Sequence, residues 1–165
     1  KHIRVTDYQV SDFTTFMTGE FFDLLSQYSI LKDSISSGDT FDPVRFGESF
    51  RLGVEAGLSA SLLSQVFLVR TRVLFGKAIK TDNYHYLSGL LIGNELKELT
   101  NAGNLPIYLC CTAHLEAQYR LALETLGIDA AIIPAATMDQ AVVRGQFKIY
   151  NQNLNHERSI FLGSF

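Results

Sequence analysis

Residues 106–111, Pro106-Ile107-Tyr108-Leu109-Cys110-Cys111, make a short apolar run that opens at a proline and reads as a strand. Directly after it, residues 113–126 place Leu115, Tyr119, Ala122, Leu123 and Leu126 at helical spacing, and Gly127 closes that helix. A second apolar run, Ile128 to Ile133, repeats the strand pattern. Pro134 breaks it, and residues 137–149 read as a last helix. Apolar strands alternating with helices imply parallel strands covered by helices. The fold class is α/β.

Upstream the pattern is different. Residues 3–6 (Ile3, Arg4, Val5, Thr6) read as a strand, Asp7-Tyr8 as a turn, and residues 9–17 as a second strand, so the pair predicts a hairpin. Thr18-Gly19 ends that strand, and a helix starts over Glu20 to Leu25 with an acid in its first turn. Residues 34–40 form a Ser/Gly/Asp loop. Asp42-Pro43 predicts a helix start with Asp as N-cap, Val44, Phe50 and Val54 on the buried side and Gly57 at the end. Residues 60–75 carry Leu62, Val66, Val69 and Val73, beside Leu63, Phe67 and Leu74, at helical spacing, and Gly76 stops them. Asp82 is the expected cap of a helix over 82–100, whose middle, Leu87 to Gly93, is apolar on nearly every side and so belongs inside. The chain thus divides into a mainly helical insertion at 20–100, an α/β part made of 1–20 and 104–150, and a tail at 151–165. No repeat is present.

Composition narrows the function classes. The 165 residues are 47% hydrophobic and 19% charged, as in a globular domain. The net charge is −3 and there is no Lys/Arg block, which argues against nucleic acid as a partner. Two cysteines, Cys110 and Cys111, are adjacent, a geometry that strains a mutual disulfide, so a reducing cytoplasm is the expected setting. Zinc would need more Cys or His at ligand spacing. The apolar runs are far too short to span a bilayer, and no signal peptide is visible. The chain opens on Lys1 instead of Met, which reads as a trimmed or cleaved piece of something longer.

Three stretches, Phe13-Thr14-Thr15-Phe16-Met17-Thr18-Gly19-Glu20, Gln65-Val66-Phe67-Leu68-Val69-Arg70-Thr71 and Tyr86-Leu87-Ser88-Gly89-Leu90-Leu91-Ile92-Gly93-Asn94-Glu95, together resemble the 2-dehydro-3-deoxygalactonokinase family in content, order and spacing. The resemblance covers roughly residues 1–150. It implies an actin/hexokinase-like (ribonuclease H-like) ATPase of two lobes with ATP in the cleft between them. It also implies Mg²⁺ and phosphorylation of the 6-hydroxyl of 2-dehydro-3-deoxygalactonate in sugar-acid catabolism. On that likeness the chain is the C-terminal lobe, with the hairpin, the helical insertion and the β-α-β-α end sharing one mixed sheet. It starts after a Gly-Thr-His-Ser-like turn and lacks the N-terminal lobe with its Asp-x-Gly phosphate loop, so it is expected to be inactive alone. The absent strand is central in that sheet. Unpaired central edges are costly, so a cleaved companion segment or another element is expected to fill the place. The oligomeric state is left open, a homo-oligomer included.

The candidate site residues follow. Thr18, Gly19 and Glu20 form a turn feeding a helix N-terminus, which supplies backbone N–H donors; Thr18 can donate to a phosphate or to a sugar hydroxyl. The plainer reading is a strand–helix turn with a capping Thr. Cys111, Thr112 and Ala113 lie between strand and helix, where the resemblance puts adenosine. The family tends to carry Ala-Gly-like residues where this chain has Cys110-Cys111, and a small buried strand end is the alternative. A nucleophilic cysteine is disfavoured because no base is placed beside it. Ala136, in Ala135-Ala136-Thr137, opens the last helix on the nucleotide side, although packing alone accounts for it. Ala141 is expected at the hinge between lobes, with Val142 where the family tends to have Gly. Gly89 and Gly93 read as a packing pair. Arg70 either holds the substrate carboxylate bidentately or bridges helices. His114 reads as a surface residue at a helix start. Asp12, Glu20, Asp23 and Glu95 have no spacing that marks a general base, so the base is unassigned. A non-catalytic nucleotide- or partner-binding module of the same fold is the alternative. An oxidoreductase ranks last, since no Gly-x-Gly-x-x-Gly follows a strand.

Overall fold

Asp7 and Tyr8 both take positive φ, 51° and 61°, and so turn the chain in two residues between β1 (His2–Thr6) and β2 (Gln9–Thr14). The strands are antiparallel, pairing Thr6 with Gln9 and His2 with Thr14, with one irregularity between Arg4 and Val5. This is the hairpin that the sequence predicts, and its second strand ends three residues earlier than read. The computed structural model describes the backbone of residues 1–37, 40–59, 61–101, 103 and 105–162, and the side chains of these except Ser59, Asp139 and 152–162. The chain forms two compact units, residues 1–105 with 117–129, and residues 106–116 with 130–165.

In the first unit the hairpin leads into α1 (Thr18–Asp23), a π-helical turn (Leu24–Tyr28) and a 3₁₀ turn (Lys32–Ser34). Three long helices follow, α2 (Pro43–Ser59), α3 (Leu62–Leu74) and α4 (Lys80–Leu96). Asp42 caps α2 as expected, its Oδ1 accepting from the Val44 N–H at 2.9 Å. Phe50 and Val54 are fully buried, but Val44 is 95% exposed, because in the first turn it falls on the solvent side. Gly57 does not end α2, which runs on to Ser59. The reason lies in how α2 meets α4. A Cβ added at Gly53, Gly57, Gly89 or Gly93 would collide with backbone of the facing helix, so the two helices touch main chain to main chain through a glycine pair on each. Gly53-x-x-x-Gly57 mirrors Gly89-x-x-x-Gly93.

Helix α4 is the core element, buried on nearly every side as its sequence requires. It begins two residues before Asp82, which lies in its first turn, and Ile79 holds the N-cap position. Leu87, Leu90 and Leu91 join Leu31, Ile35 and Val69 in one apolar cluster. Asn83 Nδ2, fully buried, donates to Val69 O at 2.6 Å and to Ser34 O at 3.1 Å, tying α4 to α3 and to the 3₁₀ turn. His85, 2% exposed, stacks on Phe46 with ring centroids 4.0 Å apart and also meets Phe41 and Tyr84. On α3, Val69 is buried while Leu63, Phe67 and Leu74 are exposed, so its apolar stripe is narrower than the sequence reading. Gly76 ends α3 at φ +63° as expected.

The second unit holds β3 (Ile107–Cys110), β4 (Ala130–Ile133), the first turn of α5 (Ala113–Thr125) and α6 (Ala135–Leu162). The strands are parallel and in register, Ile107 opposite Ala130 and Cys110 opposite Ile133. The β-α-β-α reading thus stands, with α6 beginning two residues earlier and running across position 151, where the sequence reading starts its tail. The single mixed sheet does not form within this chain. The ladders are two separate two-stranded sheets, β1–β2 and β3–β4.

Candidate functional site

The three stretches that carry the resemblance converge on α4. Tyr86 Oη donates to Gln65 Oε1 at 3.3 Å, and the Arg72 guanidinium lies 4.1 Å from the Tyr86 ring centroid. At the other end of α4, Glu95 is 5% exposed. Its Oε2 accepts hydrogen bonds from the Thr18 hydroxyl and from Tyr119 Oη, the latter at 3.0 Å, and its Oε1 lies 3.3 Å from the Lys1 backbone nitrogen. The strand–helix junction, α4 and α5 are therefore joined at one carboxylate. A concavity of about 210 Å³ opens there. Phe16, Met17, Phe21, Leu62 and Leu91 form its apolar walls, and Thr18, Asn94 and Glu95 supply its polar groups. His2, its ring tilted against Phe16 at 4.6 Å between centroids, has its pKa lowered chiefly by burial, with Glu95 pulling the other way.

Thr18 is not a cap. Met17 holds the N-cap position of α1, no side chain caps it, and the Thr18 hydroxyl is turned to Glu95. Gly19 and Glu20 are exposed, and a Cβ at Gly19 would meet nothing within 4 Å. Arg70 Nη1 donates to Ile30 O at 3.0 Å, linking α3 to the segment two residues after the π-helical turn. Thr18, Gly19, Glu20 and Arg70 all lie in the first unit.

Cys111, Thr112, Ala113 and Ala136 lie in the second unit. Because β3 and β4 run parallel and in register, their carboxyl ends are side by side, and each feeds a helix start, at Ala113 and at Ala135. Cys111 is half-buried, while Thr112, Ala113 and Ala136 are exposed. The sequence residues named for the nucleotide thus follow the carboxyl ends of two paired strands, each at a helix start. Neither cysteine forms a disulfide. His114 is exposed, as are Ala141, Val142 and Val143. No group of three or more His, Cys, Asp or Glu among the described residues is arranged to hold a metal. No helix among them is long and apolar enough to cross a membrane.

A family profile described as 2-keto-3-deoxy-galactonokinase matches residues 1–149. The chain belongs to this galactonokinase family. It is 30% identical over 147 residues to the 2-dehydro-3-deoxygalactonokinase of Escherichia coli (strain K12), covering 87% of this chain and 49% of that one. It is 33% identical over 150 residues to a Rhizobium meliloti (strain 1021) protein named "probable 2-dehydro-3-deoxygalactonokinase", covering 88% and 47%. A crystal structure of a Sinorhizobium meliloti protein assigned as a 2-dehydro-3-deoxygalactonokinase superimposes with a TM-score of 0.72 at 31% identity, over 81% of this chain and 44% of that one. The chain spans about half the length of the curated relatives it matches.

Sequence reasoning missed Glu95 and Tyr119 as a pair. The signal for Glu95 is present: an acid two residues after the apolar block Leu90 to Gly93, on a helix whose middle is apolar on nearly every side. Nothing local marks Tyr119, which lies 24 residues away.

Proposed function

We propose that this chain is the nucleotide-side, C-terminal lobe of an ATP-dependent sugar-acid kinase that phosphorylates 2-dehydro-3-deoxygalactonate. The observation that carries the reading is family membership over residues 1–149, in a chain about half as long as its relatives. In this reading residues 1–150 form the lobe of an actin/hexokinase-like fold, with 20–100 its helical insertion, and 151–165 are a tail. The other lobe is the essential partner, so the chain alone is inactive. The setting is cytoplasmic, where Cys110 and Cys111 stay reduced.

Each residue takes a role by its position. Thr112, Ala113 and Ala136 offer small side chains and helix N-terminal N–H groups to ATP, and Cys111 precedes Thr112 at the strand end. Gly19, Glu20 and Arg70 lie on the substrate side with Thr18. In the reaction the 6-hydroxyl oxygen bonds to the γ-phosphorus, the bond from that phosphorus to the β–γ bridging oxygen breaks, and ADP leaves. The hydroxyl proton passes to a base that no residue of this chain is assigned to supply. Mg²⁺ would neutralise charge on the transferring phosphoryl group. The described residues of this chain offer no cluster of three or more His, Cys, Asp or Glu to hold it.

The test is a coupled assay of the full-length gene product for ADP release dependent on both ATP and 2-dehydro-3-deoxygalactonate. Turnover there, and none from this chain alone, is the expected result. ATP binding with no turnover on any sugar acid supports instead a non-catalytic nucleotide-binding module, the reading favoured by Cys110-Cys111 at the end of β3.

A further inference from the structure

Thr18 has one hydroxyl hydrogen, and it points at Glu95 Oε2. Glu95 carries no hydrogen of its own when ionised, so it can only accept. What Thr18 Oγ1 still offers to the adjoining pocket is therefore lone pairs. An acceptor of that kind recognises an O–H or N–H group and finds no partner in an ionised phosphate or carboxylate, whose oxygens are acceptors as well. The electrostatics agree. The pocket lining includes a carboxylate and neither Lys nor Arg. An anion there would meet like charge in a largely apolar surrounding, where the repulsion is weakly screened.

We infer that this pocket receives an uncharged, hydroxyl-bearing part of the sugar acid, with Thr18 Oγ1 accepting a hydrogen bond from a substrate hydroxyl, and that Glu95 is the positioning residue that fixes this polarity. Thr18 thus serves the sugar and not the phosphates. The apolar walls at Phe16, Phe21 and Leu91 suit the carbon skeleton of a deoxy sugar, which carries a methylene in place of one hydroxyl. This rests on the sugar-acid kinase reading above, and it names which end of the substrate goes where.

The experiment varies sugar acid and ATP separately in the full-length gene product, with Thr18→Val, Thr18→Ser and Glu95→Gln beside the wild type. Thr18→Val keeps the shape and removes the acceptor. It is expected to raise KM for the sugar acid about tenfold, the scale of one lost hydrogen bond with its partner left unmet, while KM for ATP is unchanged. Thr18→Ser restores the wild-type value. Glu95→Gln introduces an amide donor toward Thr18 and shifts the sugar-acid KM in the same direction as Thr18→Val. A rise in KM for ATP, or a fall in kcat at unchanged sugar-acid KM, places Thr18 on the phosphates and overturns the inference. NMR titration of the wild type needs neither turnover nor a folded variant. Thr18 and Glu95 signals that move with the sugar acid and not with inorganic phosphate support the inference. Movement with phosphate, or with neither, overturns it. A wild type that binds the sugar acid at Thr18 but transfers no phosphate overturns the kinase reading alone.

Discussion

Helices α4 and α6 are both long and both carry glycine mid-helix, yet the residue does opposite work in them. In α4, Gly89 and Gly93 are buried against α2, and any side chain there would enter the backbone of Phe50 or Val54. In α6, Gly145 faces open space and residues 140–150 with described side chains are exposed. The first is a contact that only hydrogen fits. The second is a helix interior weakened by the conformational freedom of glycine. Glycine in a helix therefore says nothing until its neighbour is known, and a paired spacing on two helices is what reveals the neighbour.

The substitution that most directly breaks this comparison is Gly89→Ala. Its Cβ would meet main chain, which no rotamer change relieves, so a loss of about 3 kcal/mol or more in urea unfolding is expected. Wild-type stability in that variant would show that the α2–α4 seam is not the tight contact described. A smaller effect separates the buried polar groups of the same helix. Burial lowers the pKa of His85, and of His2 in the hairpin, below the usual histidine value. The unfolded chain then binds protons that the folded chain refuses. Stability is full above the unfolded pKa of about 6.5 and falls as pH drops from there toward the lowered folded values. Urea midpoints measured from pH 7.5 to 5 should show this slope, and His85→Gln should flatten it, leaving the part due to His2. The smallest effect has the opposite sign. Gly145→Ala is expected to raise stability by up to about 1 kcal/mol, as helix propensity alone dictates. A loss there would mean that α6 is packed at Gly145.

Much of this was written locally. Asp42-Pro43, Gly76 and Gly127 mark helix boundaries because capping and left-handed backbone are decided within a few residues. Gly127 takes φ +64° in the turn that follows α5, two residues after Thr125. The alternation from Ile107 to Ile133 is equally local, and so was the apolar surround of α4. Val44 and Gly57 misled for one reason: each sits within a turn of a helix end, where the burial pattern is set by what the end meets. The candidate site divides in the same way. Thr18 and Thr112 were legible as residues at strand–helix junctions. The direction of the Thr18 hydroxyl was not, since it is fixed by an acid 77 residues further on.

The sequence by itself determined most of the elements, the helix boundaries at Asp42, Gly76 and Gly127, and the family resemblance, because periodicity, capping and motif spacing are properties of neighbouring residues. Tertiary structure alone decided that two glycine pairs would bring α2 and α4 into backbone contact, and that Glu95 would be buried where Thr18 and Tyr119 both reach it. Contacts of that kind depend on which helix faces meet, and burial then leaves a carboxylate no partner but the donors folding brings to it.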